Sequence, residues 1–164
     1  ESTALDWVVI PGNHDHRAAF IDVFSTTSPD SVRAGWRFIG FDDALDERRT
    51  PVRPNDEQRR FDAALGAEDD GTPQIHLQHY ILRPRLYRRT AYSYQGNAEI
   101  AARVDRNTKV RAVLSGHYHP GAYARSANDV TYSTGPAFCE TPFPFRIMDL
   151  DAGRVKGIFD HSID

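Results

Sequence analysis

The chain has 164 residues, enough for one domain with a sizeable core. Its 40% hydrophobic and 26% charged content is near the globular average, and a net charge of -3 argues against a dedicated nucleic-acid binder, which is usually basic. One cysteine, Cys139, excludes an internal disulfide and fits a reducing, cytoplasmic setting, and no apolar run approaches the roughly 20 residues of a membrane span.

The apolar run Trp7-Val8-Val9-Ile10 predicts a buried first strand over residues 5–10. Gly12 is expected to let the backbone turn sharply into Asn13-His14-Asp15. Residues 17–24 read as a short helix with Phe20, Val23 and Phe24 inward. A polar loop over 25–30 leads to a strand, Trp36 to Phe41, and residues 42–54 are charged, carry two prolines and read as a surface loop. Asn55 can cap a helix from Asp56 to Leu65, with Phe61, Ala64 and Leu65 buried and Gly66 as its stop.

Residues 74–79 alternate, placing Ile75, Leu77 and His79 on one face and His76 on the other. The arginine-rich stretch 83–96 reads as a loop along one side of a site. Asn97 caps a further helix with Ile100, Ala101 and Val104 inward, and Lys109 to Leu114 is the next strand. Three strands close the chain, Val130–Thr134, Phe145–Asp149 and Arg154–Phe159, the last two joined by a tight turn at Asp151-Ala152-Gly153-Arg154. Helices alternating with strands and then a run of strands suit a layered α/β fold, read as a single domain over residues 1–164.

Two stretches carry chemistry. Gly12-Asn13-His14-Asp15 crowds an amide oxygen, an imidazole and a carboxylate at a strand end, and Gly116-His117-Tyr118-His119 presents two imidazoles at another. Histidines at i and i+2 can reach one metal or two adjacent ones. Imidazole and amide oxygen suit Mn, Fe, Zn or Ni better than Cu(I). Taken alone, an Asn-His-Asp tip is as readily an ordinary turn, and a lone strand-end histidine is more often plain structure. His16 and His161 read as solvated and Cys139 as packed. Arg17 suits a phosphate contact or a surface position equally.

In order, Gly12-Asn13-His14-Asp15, His79 after its strand, and Gly116-His117-Tyr118-His119 resemble the calcineurin-like metallophosphoesterases. The resemblance spans roughly residues 5–160 and implies a layered sandwich of mixed sheets flanked by helices, with metals at the strand ends. It implies Asn13, His79 and His117 as ligands of one divalent metal and His119 as ligand of a second (Mn, Fe, Zn or similar), all four converging. It implies His14 as general acid over the leaving group, oriented by Asp15. The family's earlier D-x-H and G-D motifs do not occur here. The chain is therefore expected to be the C-terminal portion of such a domain, with the N-terminal strands missing, a sheet edge exposed and the site incomplete. The implied activity is hydrolysis of a small phosphate ester by a metal-activated water, with Asp15-His16-Arg17-Ala18 most like the cyclic-nucleotide phosphodiesterase branch. The alternatives are a catalytically incomplete binding or scaffold module, and a mononuclear zinc hydrolase that would leave Asn13-His14-Asp15 unexplained.

Overall fold

The computed structural model describes residues 6–66, 71–86 and 93–163. In chain order the elements are α1 (Arg17–Phe24), β1 (Asp30–Arg33), β2 (Trp36–Gly40), β3 (Ala44–Leu45), β4 (Pro51–Val52), α2 (Asn55–Gly66), β5 (Gln74–Gln78), α3 (Asn97–Arg106), β6 (Val110–Ser115), β7 (Ala122–Arg125), β8 (Thr131–Thr134), β9 (Phe145–Asp151) and β10 (Arg154–His161). A six-stranded mixed sheet runs β1-β2-β5-β6-β8-β7. Its four inner strands are parallel neighbours, and β1 and β7 close the two edges antiparallel.

Alternation along the inner strands separates two apolar layers. On one face, Ile39, Val113 and Tyr132 meet Phe61 and Ala64 of α2 and Ala101 and Val104 of α3. On the other, Trp36, Ile75 and Ala112 meet Val155, Met148, Leu150 and Ile158 of the β9–β10 hairpin. Helices, sheet and hairpin thus form a layered mixed α/β fold. Among the described residues no helix is long and apolar enough to cross a membrane.

The β1–β2 and β9–β10 hairpins each turn on two left-handed residues. Ala34 and Gly35 have φ of 46° and 78°, and Ala152 and Gly153 have 45° and 72°. That backbone matches the right-handed twist of the flanking strands. The second turn lies where the sequence predicts it. The first lies in residues 31–35, which the sequence reading assigns to no element, so β1 was missed. The short pair β3–β4 inside the charged 42–54 segment and the edge strand β7 were also missed.

Other expectations are corrected. Residues 6–10 form no strand: Trp7 is 72% exposed, although its ring meets Phe24 edge-on, and Ile10 lies against Gly40 of β2 without ladder bonds. Val23 of α1 faces solvent, while Phe20 is buried. The cap of α1 is His16, solvent-exposed as expected, whose Nδ1 accepts from the Ala19 N–H at 3.4 Å. Asn55 lies within α2, and Gly96, in the left-handed region, rather than Asn97 precedes α3. Cys139 is exposed rather than packed. Of the loop over 83–96, residues 87–92 lie outside the described residues.

Candidate metal centre

The site follows from strand register. β5 and β6 are adjacent and parallel, with Gln78 opposite Ser115. The residues just past their C-terminal ends, His79 and Gly116-His117, therefore emerge side by side, and the Gly116 N–H donates to the His79 carbonyl at 3.0 Å. Ligand sites in open α/β sheets form at such strand ends. The Pro11–Asp15 loop, entering α1, brings Asn13 over them.

Three side-chain atoms converge there. Asn13 Oδ1 lies 2.8 Å from His79 Nε2 and 3.1 Å from His117 Nδ1, and the two ring nitrogens are 3.1 Å apart. His117 reaches this point with φ of 63°, a left-handed backbone that a side-chain-bearing residue rarely adopts. Tyr80, unmarked by any motif, is buried beneath both imidazoles, its ring edge-on to His79 at 5.0 Å and to His117 at 4.9 Å.

The motif glycines make room for His79. A Cβ on Gly12 would lie 3.0 Å from His79 Cε1, and one on Gly116 would lie 3.3 Å from its Nδ1. Neither glycine has a left-handed φ, so close approach to the ring, rather than the expected sharp turn, is what requires them. Burial first, and the facing His117 ring next, hold the His79 pKa down to about 4. The ring is neutral at pH 7 and keeps a lone pair.

Asp15 is hydrogen-bonded to the backbone rather than to His14. Its Oδ2 accepts from the Gly12 N–H at 2.6 Å, and its charge works against the depression of the His79 pKa. A short side chain spends its reach on the backbone three residues back, as Asp does in tight turns. His14 is exposed beside this cluster. Arg17 is a brace: its Nη1 donates to the Gly12 carbonyl at 2.9 Å and its Nη2 pairs with Asp42 at 2.7 Å. Among the described residues His119 makes no hydrogen bond to the other three, and its Nδ1 lies 2.6 Å from Glu140 Oε1. His76, on the opposite face of β5, is buried against Phe41 and Phe61.

Beneath the loops after β2 and β5 sits a buried ion pair. Arg53 Nε donates to Asp43 Oδ1 at 3.0 Å, with both side chains at 2% exposure or less. Arg53 Nη2 also donates to Gln78 Oε1 at 3.0 Å, and the Tyr94 hydroxyl donates to Asp43 Oδ2. Burial opposes the guanidinium charge, but Tyr94 and Asp43 outweigh it and raise the Arg53 pKa above its ordinary value. The Asp43 carbonyl accepts from Arg17 at 3.4 Å, so this pair supports the Asn13 loop at one remove. Nothing in the sequence marked it, because both charges lie in a segment that reads as surface.

The convergent trio fits a cation. Asn13 Oδ1 only accepts, and each neutral imidazole brings one N–H. If both N–H groups aim at Oδ1 they abut each other; if either turns away, lone pair faces lone pair. No arrangement of protons satisfies all three contacts, whereas a cation takes a lone pair from each. With bonds of about 2.1 Å, donors at right angles stand about 3 Å apart, the spacing seen. All three donors are neutral, and among the described residues no three or more His, Cys, Asp or Glu side chains converge as a cation site.

Comparison with known proteins bears on the family and the fold. The family model for calcineurin-like phosphoesterase matches residues 2–121. No curated protein sequence matches. Among solved structures, the chain is similar to the crystal structure of a dimetal phosphatase from Danio rerio, with a TM-score of 0.67 at 12% identity, over 94% of this chain and 71% of that one. That likeness is one of fold. With the family model covering well over half its length, the chain belongs to the calcineurin-like phosphoesterase family.

Proposed function

We propose that this protein is a metal-dependent phosphoesterase whose centre is built on Asn13, His79 and His117, with His119 serving a second metal. The convergence of Asn13 Oδ1, His79 Nε2 and His117 Nδ1 within 3.1 Å of one another carries this reading. The substrate is a small phosphate ester, phosphodiester or nucleotide-like. Divalent ions held there (Mn, Fe, Zn or similar) would polarise the phosphate and make a water nucleophilic at neutral pH. The chain's own residues do the rest. Asn13, His79 and His117 hold their lone pairs in place through the Tyr80 floor and the two flanking glycines. Water adds to phosphorus as the ester P–O bond breaks, and His14, exposed beside the cluster, delivers the proton to the departing oxygen. Asp15, fixed on the Gly12 N–H, contributes negative charge beside neutral ligands.

A second reading, a family member that binds metal or a partner without turnover, draws on the absence of a carboxylate from the trio. Calorimetric titration with Mn²⁺, followed by assay on bis(p-nitrophenyl) phosphate, separates the two for the wild type and for His117→Ala. Metal uptake and p-nitrophenol release that are both lost in His117→Ala support the enzyme. Uptake without release supports the binding module, and no uptake at all sinks the metal centre. Because its three convergent donors are neutral, residues 1–164 are expected to bind weakly; two tight sites would contradict that.

A further inference from the structure

His119 ends the Gly116–His119 stretch without a hydrogen bond to the trio, and the structure shows what its ring meets instead. The loop after β8 is tied to it twice. The Ala137 N–H donates to the His119 carbonyl at 3.0 Å, and Glu140 Oε1 lies 2.6 Å from His119 Nδ1. Glu140 does not hang free, since its N–H donates to the Ala137 carbonyl at 3.1 Å and its carbonyl accepts from the Phe143 N–H at 2.6 Å. A folded turn therefore presents the carboxylate to the ring.

We propose that Glu140 is a positioning residue: it accepts the Nδ1–H of His119 and so fixes the tautomer whose Nε2 lone pair is open to a cation. This inference rests on the metal-centre reading above. An ionised carboxylate only accepts, so a ring nitrogen 2.6 Å from it carries the hydrogen. In a neutral imidazole the other nitrogen then carries the lone pair. His119 Nε2 has no hydrogen-bond partner among the described residues. A carboxylate on the far nitrogen also makes the ring a more basic ligand and stops it rotating. Glu140 thus supplies to His119 what burial and the flanking glycines supply to His79. It lies outside every motif, which is why the sequence did not single it out.

The test reads the tautomer first, in the metal-free chain. Long-range ¹H–¹⁵N correlation at pH 8.5, about two units above an ordinary imidazole, is recorded for the wild type, Glu140→Ala and Glu140→Gln, with His119→Ala assigning the signal. The wild type should show Nδ1–H. Glu140→Gln should keep it, because the amide oxygen still accepts, and Glu140→Ala should move toward Nε2–H. Zn²⁺ titration should then find Glu140→Ala about tenfold weaker than the wild type, the low end of the usual 10–100-fold loss for such partners, because the pair is half exposed. Glu140→Gln should lie close to the wild type. An Nε2–H signal in the wild type, or one unchanged in Glu140→Ala, overturns the proposal, as does an unaltered Zn²⁺ affinity in Glu140→Ala. Failure of the metal reading shows separately, as a wild type that takes up no Zn²⁺ whatever its tautomer; that outcome removes the positioning role too.

Discussion

Replacing Arg53 by Met tests whether the buried ion pair supports the fold and the loops above it. Met keeps most of the volume between the rings of Phe41 and Phe61, whose centroids lie 4.1 and 5.0 Å from the guanidinium carbon, so packing changes little. The charge does change. Asp43, with its side chain fully buried, would keep only the Tyr94 hydroxyl, and Gln78 Oε1 would lose its donor. Breaking one side of a buried pair costs about 3–5 kcal/mol, because the survivor is left charged and unpaired. Against a total stability of about 5–15 kcal/mol, that is a large fraction. Asp43→Leu should cost a similar amount by stranding Arg53. The double variant removes both charges, and its loss should fall short of the sum of the singles by at least about 2 kcal/mol. Urea denaturation with linear extrapolation at pH 7 measures all three. Should a single variant fail to fold, a folded double variant makes the same point. Additive losses would refute the claim that each charge is there for the other. A site consequence follows if the Asp43 backbone shifts, since its main-chain carbonyl accepts from Arg17 and Arg17 holds the Gly12 carbonyl. Mn²⁺ affinity should fall in each folded single variant.

Gly12→Ala should weaken Mn²⁺ binding on the order of tenfold or more in calorimetry, since its Cβ at 3.0 Å pushes the His79 ring off Asn13 Oδ1, and Gly116→Ala, with 3.3 Å of clearance, should weaken it less; equal affinities would contradict the packing account. Burial first, with Arg53 and Arg37 next, lowers the His76 pKa to about 3, so the unfolded chain binds the extra proton between pH 3 and 6.5 and stability is full above that window and lost as pH falls through it. The loss by pH 5 is about 2 kcal/mol, and His76→Gln should remove it; a pH slope unchanged in that variant would count against it. His14→Ala should leave metal content intact and lower kcat on the order of 10²–10⁴-fold for an alkyl phosphate ester, with a much smaller loss for a p-nitrophenyl ester, whose leaving group needs no proton. Loss of metal in that variant would make His14 a ligand instead.

The sequence by itself determined what is local. The periods of α2, β5 and β6, the second hairpin turn, and the motifs Gly12–Asp15 ahead of α1 and Gly116–His119 after β6 follow from side-chain alternation and turn chemistry within a few residues. Those motifs also carried the family. What tertiary structure decided is which groups meet, and which charges lose water. Trp7–Ile10 has a strand's composition, but a strand needs a partner edge, and among the described residues none pairs with it. Arg53 and Asp43 look like two more charges in a polar loop. They are buried only because Phe41, Phe61 and Tyr94, drawn from segments more than fifty residues apart in the chain, close around them. Asp15 could have reached His14 or the backbone, and the Gly12 N–H won because it lies within reach of a short side chain. His119 sits two residues from His117, yet its ring partner is a carboxylate 21 positions along the chain. Pattern and propensity act along the chain, whereas hydrogen-bond partners and burial act through space, so a motif locates a site without stating which of its side chains converge.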